Sequence, residues 1–274
     1  SSSCPDDCSS AESGECPTCT IVCHPNDDDC IGAFTSIQDA IDNTTEYDTV
    51  LVEPFEEPYY ENLILQKSIY LVSRAVFDAD TDNGLISDWM GYDDGYEVTN
   101  YNISNTIIDG SYDTNGSNFQ SVILINTPPD GSCAAPVIKG FTILGGNGTI
   151  VTTEDGIQER RGGGFLVNNA FPTFNYNLFV DNYGEIYSGG GGNIDNNVQI
   201  SSLSGYSWGN SNSCNSRAWL DMRRNAWGRN KASYGKTLSA KKSKVNIDMS
   251  KNFWDVYNCP KDEVTKVWVA VSLS

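Results

Sequence analysis

The residues best suited to chemistry form an acidic stretch, DADTDNG at positions 78–84, with one more aspartate beyond it. Alternating carboxylates that lead into a glycine are typical of calcium sites, because calcium takes about six to eight oxygen ligands. An EF-hand loop would have glycine at position 83 and a closing glutamate, and both are absent. We predict a calcium site here, with a solvated acidic loop as the alternative. The candidate ligands are Asp78, Asp80, Asp82 and Asp88.

Catalysis by a nucleophile has little support in the sequence. The single histidine, His24, lies in a cysteine-rich leader, so a Ser-His-Asp or Cys-His arrangement elsewhere lacks its base. A polysaccharide lyase stays open, because it needs only a Lys, Arg or Tyr base and a group that neutralises charge. The basic residues that could serve, or that could form a solvated turn face, are Arg217, Arg223, Arg224 and Arg229.

Six of the nine cysteines fall within the first thirty residues, where few apolar side chains are available to build a core. We predict a disulfide-stapled segment there, since crosslinks replace a core in such sequences. The alternative is a zinc site around the CxxC of Cys16 and Cys19, beside His24. The odd total leaves one thiol free or joined to another molecule. The nine are Cys4, Cys8, Cys16, Cys19, Cys23, Cys30, Cys133, Cys214 and Cys259.

Several features predict a secreted glycoprotein. No apolar run is long enough to span a membrane. The chain starts SSSCPDD, which we interpret as a mature or trimmed product. Four N-x-S/T sequons lie in predicted turns or loops. They begin at Asn43, Asn102, Asn115 and Asn147.

The formal charge of −19 is unevenly distributed along the chain. Residues 1–200 hold 31 acidic and 5 basic side chains, whereas residues 201–274 hold 5 acidic and 12 basic ones. Opposite charges at two ends steer molecules into head-to-tail association, so we predict that the partner is another copy of the chain. A solvated acidic surface is the alternative. Nucleic acid is a poor partner for so acidic a body.

One helix and two strands position these residues at the start of the fold. Ser36 is suited to be a helix N-cap, and Ile37, Ala40 and Ile41 then fall on one helix face. The runs TVLVE at 49–53 and SIYLVS at 68–73 are apolar and β-branched, as buried strands are. Further short strands are predicted between positions 106 and 167, punctuated by glycine clusters at tight corners.

In this order, IQDAI, DTVLVEP, YYENL and KSIYLVS resemble the opening of secreted right-handed parallel β-helix proteins, the pectin-lyase-like superfamily. The resemblance implies an all-β solenoid, in which the helix caps the N-terminal end and each turn adds strands to three parallel sheets. It implies the fold rather than an activity. The Gly-His-Gly signature of polygalacturonases and the Asp-Phe-Ile-Phe-Gly type signature of pectin methylesterases are absent.

Two phrases, NLFVDN at 177–182 and NAWGRN at 225–230, share the pattern N-x-aromatic-x-x-N and stand 48 residues apart. We interpret this spacing as two solenoid turns of about 24 residues each. The asparagines would form a ladder along the stack, with the aromatic side chains inside. A carbohydrate-binding row is the alternative.

We predict two regions, a cysteine-rich segment at 1–34 and a β-helix at 35–274. Within the second, residues 74–104 form an acidic insertion that projects as a loop, and residues 205–274 form basic, Trp-rich rungs and a cap. The tryptophans would plug the end of the stack or bind sugars or another subunit. The leading hypothesis is a non-catalytic extracellular structural protein that self-associates into filaments or matrix. A calcium-assisted polysaccharide lyase and a glycan-binding adhesin are the alternatives.

Overall fold

The computed structural model describes residues 19–32, 34–79, 86, 89–91, 97–111, 118–153, 155–184, 189–195, 199–200, 206, 219–232, 238–241, 246–254 and 269–272. These residues are mostly β, with few helices and several parallel sheets, so the predicted all-β class is confirmed. None of the helices in this part of the chain has both the length and the apolar character that crossing a bilayer requires.

The helices are α1 (Ile37–Asn43), α2 (Tyr101–Asn105) and a 3₁₀ helix (Arg74–Asp78). The strands are short, and in chain order they are β1 (Cys19–Val22), β2 (Thr49–Val52), β3 (Leu63–Leu65), β4 (Tyr70–Ser73), β5 (Met90–Gly91), β6 (Glu97–Val98), β7 (Ile107–Asp109), β8 (Phe119–Gln120), β9 (Ile123–Asn126), β10 (Val137–Lys139), β11 (Thr142–Leu144), β12 (Gly148–Thr152), β13 (Gln158–Arg161), β14 (Phe165–Asn168), β15 (Thr173–Asn175), β16 (Leu178–Val180), β17 (Gly192–Asp195), β18 (Gln199–Ile200), β19 (Trp219–Asp221), β20 (Ala226–Gly228), β21 (Leu238–Lys241), β22 (Asn246–Asp248), β23 (Phe253–Trp254) and β24 (Val269–Ser272).

Three parallel sheets make up the body of the molecule. Sheet A has the order β1-β2-β4-β10-β15, sheet B the order β7-β11-β16-β20-β23 and sheet C the order β3-β9-β14-β17-β21-β24. The chain visits them in the order A, B, C three times in succession, as β4-β7-β9, β10-β11-β14 and β15-β16-β17. Each strand therefore pairs with the strand of the next pass, an arrangement that is compatible with a parallel β-helix.

The core lies between the three sheets and is filled by alternate residues of each strand. Phe165 and Val167 of β14 belong to the main core cluster, whereas Leu166 faces the other side of sheet C. There it packs beside Phe119 and Val151, which come from an antiparallel sheet of β8, β12, β13 and β18. Sheet C is thus covered on both faces at β3, β9 and β14, which explains why these three strands are apolar apart from the asparagines that end β9 and β14.

Helix α1 begins and packs as predicted. Ser36 is its N-cap and accepts a hydrogen bond from the Asp39 backbone N–H, and Ile37, Ala40 and Ile41 are buried in the main core. The Gln38 side chain makes the two hydrogen bonds that a neighbouring strand would make with Ile64. Its Oε1 accepts from the Ile64 N–H at 2.7 Å, and its Nε2 donates to the Ile64 carbonyl at 3.1 Å. This pairing satisfies the Ile64 backbone groups on the open edge of β3, the strand at one end of sheet C.

Both ends of α1 are completed by side chains from the connections around β3. The Glu61 carboxylate accepts from the Ser36 hydroxyl and from the Ile37 and Gln38 N–H groups, at 2.8 to 3.0 Å. The Lys67 ammonium donates to three carbonyls at the other end of the helix. An anion at the N-terminus and a cation at the C-terminus also match the helix dipole. A helix of this length is marginal alone, so these contacts hold it in place.

The segment 74–104 does not project where the structure describes it. Its residues Trp89, Met90, Val98 and Ile103 are buried and pack with Leu178, Val180 and Ala226 on the outside of sheet B. These described residues are apolar enough to be buried against the sheet, and the projecting acidic loop stays a prediction for the rest of the segment. The boundaries of the predicted regions stay predictions.

Two asparagine ladders run along the stack, as the repeated phrases predicted. In the first, Asn177 N–H donates to Asn225 Oδ1 at 3.0 Å, and Asn225 N–H donates to Asn252 Oδ1 at 2.7 Å. In the second, Asn182 N–H donates to Asn230 Oδ1 at 3.1 Å. The aromatic residues lie inside, where the rings of Phe179 and Trp227 stack at 4.4 Å between centroids.

The predicted turn length was wrong. Strands β16 and β20 are direct neighbours, with Phe179 paired in register to Trp227, so the 48-residue spacing is one pass and not two. Equivalent ladder positions in other passes are 36 and 27 residues apart. Residues between the strands do not take part in the ladder, so their number varies at little cost.

We expect Asn225→Ala to lower the free energy of unfolding by about 3 kcal/mol, because it leaves buried backbone groups without partners. The Asn225 side chain is fully buried, and its amide also donates to the Phe174 and Met222 carbonyls. Urea unfolding monitored by circular dichroism measures the loss. The matched control is the exposed Asn43→Ala, which should change stability by less than about 0.5 kcal/mol. Equal losses in the two variants would contradict a structural role for the ladder.

Candidate functional site

Two basic side chains converge on one aromatic ring at a corner of the stack. Lys139 ends β10, Tyr176 directly follows β15, and Arg224 lies two residues before β20. The Lys139 Nζ lies 5.3 Å and the Arg224 Cζ 5.9 Å from the centre of the Tyr176 ring. We call Lys139, Tyr176, Arg224 and Trp89 the cation–aromatic cluster.

The backbone at this corner fixes where the side chains start. Tyr176 and Arg224 both have a left-handed conformation, with φ values of 57°, and Gly140 holds the equivalent place one pass earlier with φ 88°. The Tyr176 N–H donates to the Arg224 carbonyl at 2.7 Å, which locks the two passes together. Each of these residues immediately precedes a core aromatic or a ladder asparagine, so the ladder sets their position.

The aromatic part of the cluster is rigid and buried. Trp89, from the 74–104 segment, meets Tyr176 edge to face at 5.4 Å and Phe253 at 5.5 Å. Tyr176 is 4% exposed. Rings in this geometry stabilise each other beyond the area they bury, so Tyr176 is a fixed platform for the two cations.

The electrostatics of the cluster are unusual for so acidic a chain. Burial lowers the pKa of the Lys139 ammonium, and the charge of Arg224 lowers this pKa further. Burial also raises the pKa of the Tyr176 hydroxyl, an effect that the charge of Arg224 opposes. Two like charges thus contact the same ring in a partly desolvated place, where each disfavours the charged form of the other.

A neighbouring basic residue is neutralised, in contrast to Arg224. Arg223 binds Asp221 through two hydrogen bonds of 2.6 and 2.8 Å and lies 3.6 Å from Asp248. Burial opposes ionisation of Asp221, yet hydrogen bonds from Arg223 and Asn175 hold the pKa of its carboxyl below the usual value. Among the described residues, Asp221 and Asp248 are therefore paired with Arg223.

A second candidate is a cavity of about 490 Å³ at the N-terminal end of the described stack. It lies between the loop after β1, the start of α1 and the connection that leads into β3. The polar and aromatic side chains that line it include His24, Asn26, Gln38, Glu57, Tyr59, Tyr60, Glu61 and Asn62.

The polar groups of this cavity are occupied by contacts within the chain. His24 is 5% exposed; its Nδ1 accepts from the Asn26 N–H at 3.2 Å, so Nε2 carries the proton and donates to the Pro58 carbonyl at 3.3 Å. Its ring stacks on Phe55 at 4.3 Å. The Tyr59 hydroxyl donates to the Glu53 carbonyl at 2.8 Å. This geometry holds the end of the stack together and leaves His24 poorly placed to act as a base.

Two titratable groups that line the cavity, Glu61 and Tyr59, have a changed pKa. Burial raises the pKa of the Glu61 carboxyl, and the hydrogen bonds from Gln38, Ile37 and Ser36 act in the opposite direction. Burial also raises the pKa of Tyr59, with the nearby Glu53 adding to the effect. Both groups therefore have structural roles: Glu61 accepts hydrogen bonds from the first turn of α1, and Tyr59 donates one to the Glu53 carbonyl.

The predicted calcium ligands are only partly covered by the described residues. Asp78 Oδ2 accepts from the Asn100 and Asn102 amides at 2.8 and 2.9 Å. Asp80, Asp82 and Asp88 lie outside the described residues. Within the part of the chain that is described, no group of three or more His, Cys, Asp or Glu side chains is arranged to hold a metal ion. The calcium site stays a prediction.

Disulfide bonding is present at the N-terminal end. Cys23 and Cys30 form a disulfide with each other, and Cys19 and Cys133 each take part in a disulfide as well. Because Cys19 offers no thiolate, it cannot serve in the alternative zinc site. The remaining cysteines, which lie outside the described residues, are Cys4, Cys8, Cys16, Cys214 and Cys259.

The described sequons differ in what they offer to a modifying enzyme. Asn43 and Asn147 are exposed, whereas Asn102 is half-buried and its amide binds Asp78. Thr149 of the Asn147 sequon is fully buried, with its hydroxyl 2.8 Å from that of Ser121. Asn115 lies outside the described residues. Glycosylation at the four positions stays a prediction.

Sequence reasoning named Arg224 but missed Lys139, Tyr176 and Trp89. The signal was present in the repeated phrases, because Tyr176 and Arg224 occupy the same place before a ladder asparagine. Aligning the phrases one residue earlier would have stacked these two residues. Lys139 and Trp89 carry no such signal, because Lys139 lies one position before the equivalent place in the neighbouring pass and Trp89 comes from the 74–104 segment.

No family model matches the chain, and no curated protein or solved structure matches it either. The resemblance to the pectin-lyase-like superfamily therefore stays a prediction, and function has to be inferred from the geometry.

The raised pKa of Glu61 predicts how stability depends on pH. A carboxyl whose pKa is higher in the folded state than in the unfolded state stabilises the fold below its unfolded pKa, about 4.5, and loses that contribution as pH rises through the folded pKa. Glu61→Gln lacks this pH-dependent contribution of the carboxyl. The decline in its unfolding free energy just above pH 4.5 should therefore be shallower than in the wild type. Urea unfolding across this range measures it. Parallel pH profiles would show that burial of Glu61 does not set the dependence.

Proposed function

We propose that the chain is a non-catalytic extracellular structural protein, built as a rigid right-handed parallel β-helix with α1 as its N-terminal cap. The observation that carries this proposal is that polar side chains among the described residues bind other groups of the same chain. The ladder asparagines, His24 and Glu61 are bound to groups that hold strands or helix ends together. A stack whose polar side chains serve its own cohesion is suited to mechanical support.

The path of the chain supports the β-helix part of the proposal. Three consecutive passes go through sheets A, B and C in the same order, and every pairing within these sheets is parallel. Gln38 of α1 pairs with the backbone of β3, as a cap must do to block a strand edge. The disulfide between Cys23 and Cys30 supports an extracellular location, because such bonds persist in oxidising compartments.

The charge distribution supports self-association. Residues 1–200 carry a net charge of −26 and residues 201–274 a net charge of +7. Acidic side chains near the N-terminal end are exposed, among them Asp28, Asp39 and Glu56. Opposite charges at opposite ends of a rod favour head-to-tail contacts, so the proposed partner is another copy of the chain.

We expect self-association that weakens as salt increases. Sedimentation velocity at about 0.01 M and about 1 M salt compares Debye lengths of about 30 Å and about 3 Å. The low-salt sample should contain larger species, and electron microscopy should show these as elongated. Monomers alone under both conditions would overturn the proposed self-association.

The two alternatives, a polysaccharide lyase and a glycan-binding adhesin, are distinguished by assays of turnover and of binding. A calcium-assisted lyase would release unsaturated products from uronic-acid polymers, and these are followed by ultraviolet absorbance. We expect no such signal with or without calcium. A calcium-dependent signal would replace the structural proposal with the enzyme, and binding to a glycan array without turnover would favour the adhesin.

A further inference from the structure

Arg224 stands apart from the other arginines that the structure describes. Each of the others donates hydrogen bonds from its guanidinium to an acceptor in the chain, whereas Arg224 contacts the Tyr176 ring and has no such acceptor among the described residues. The acceptors of the others include Glu53 for Arg74, Gln120 for Arg160, Glu159 for Arg161, Asp221 for Arg223 and Asp181 for Arg229.

Lys139 also has no polar partner among the described residues. Its ammonium lies over the Tyr176 ring and makes no hydrogen bond or ion pair with any described residue. Two half-buried cations are therefore held against one aromatic ring with no carboxylate of a described residue to neutralise them, in a chain that has 36 acidic and 17 basic side chains. Such an arrangement is unfavourable unless an anion compensates it.

We propose that Lys139 and Arg224 form an oxyanion-binding site, which takes one carboxylate or sulfate group from outside the chain. The guanidinium offers a planar fork of N–H donors and the ammonium a compact charge, a combination that suits a group with several oxygen atoms. Partial burial strengthens both interactions relative to those of fully solvated side chains. This site goes beyond the proposed structural role, and its existence does not depend on that role.

The fold holds both cations in place before the anion arrives. Tyr176, whose ring both cations contact, is fixed by Trp89 and by the left-handed turn that precedes Asn177. Arg224 starts from the same kind of turn one pass later. Preorganised donors lose little conformational freedom on binding, so even a single anionic group can be held.

The chain contains a matched control for this site. Arg229 occupies an equivalent left-handed turn, with φ 49°, and is exposed, but its guanidinium already binds Asp181. Arg224→Gln and Arg229→Gln therefore remove the same group from the same backbone conformation, and only the first removes an unpaired charge. Lys139→Met removes the second cation while keeping the aliphatic contact with Tyr176.

Sodium sulfate is titrated into each protein by calorimetry, with sodium chloride of equal ionic strength as the reference. We expect saturable sulfate binding by the wild type and by Arg229→Gln, and binding at least about tenfold weaker in Arg224→Gln and Lys139→Met. Unfolding midpoints in chloride establish that the variants fold; if Arg224→Gln does not, Lys139→Met decides. Equal binding in all four proteins, or none in the wild type, would overturn the site.

The source of the anion is distinguished by repeating the titration with glucuronate and by following sedimentation in sulfate. If the natural occupant is a carboxylate of a second copy, sulfate and Arg224→Gln both reduce self-association, whereas Arg229→Gln does not. If association is unchanged while sulfate or glucuronate binds, the occupant is a free anion. If the protein binds sulfate at Lys139 and Arg224 but does not self-associate, the anion site is supported and the proposed self-association is wrong.

Discussion

Backbone hydrogen bonding between successive passes is the constraint on which the rest of the structure depends. Parallel strands satisfy their own N–H and C=O groups, but the corners between sheets do not. At two corners the chain solves this with asparagine, whose amide accepts from the backbone of one pass and donates to the carbonyls of its own or the preceding pass. Since an unpaired buried group is costly, these positions tolerate no other side chain readily.

The same constraint explains the N-terminal end. A stack of strands exposes a row of unpaired backbone groups where it stops, and α1 covers part of that row with the Gln38 amide. The helix is too short to be stable alone, so Glu61 and Lys67 complete its two ends. This accounts for a buried carboxylate and a cavity beside it without assigning either of them to catalysis.

The sequence was sufficient for the parts of the fold that depend on local pattern. The Ser36 cap, the buried face of α1 and the ladder residues Asn177 and Asn225 follow from spacing and residue type, and all are present. The turn length was wrong because the chain between Phe179 and Trp227 includes β18, which pairs with β12 outside the three parallel sheets, and no periodicity records this. Lys139, Tyr176 and Trp89 meet through tertiary packing, so a linear pattern could not bring them together.

The ladder also determines where this fold has freedom to carry chemistry. The residue before each ladder asparagine must adopt a left-handed conformation, but its side chain takes no part in the ladder, and Tyr176, Arg224 and Lys251 occupy this place in successive passes. These positions lie one above another, at the spacing of neighbouring strands. Substitution there changes the side chains of the corner without removing the hydrogen bonds of the ladder. A corner column of this kind can therefore gather charged and aromatic groups from distant parts of the sequence, which is how Arg224 comes to face Tyr176.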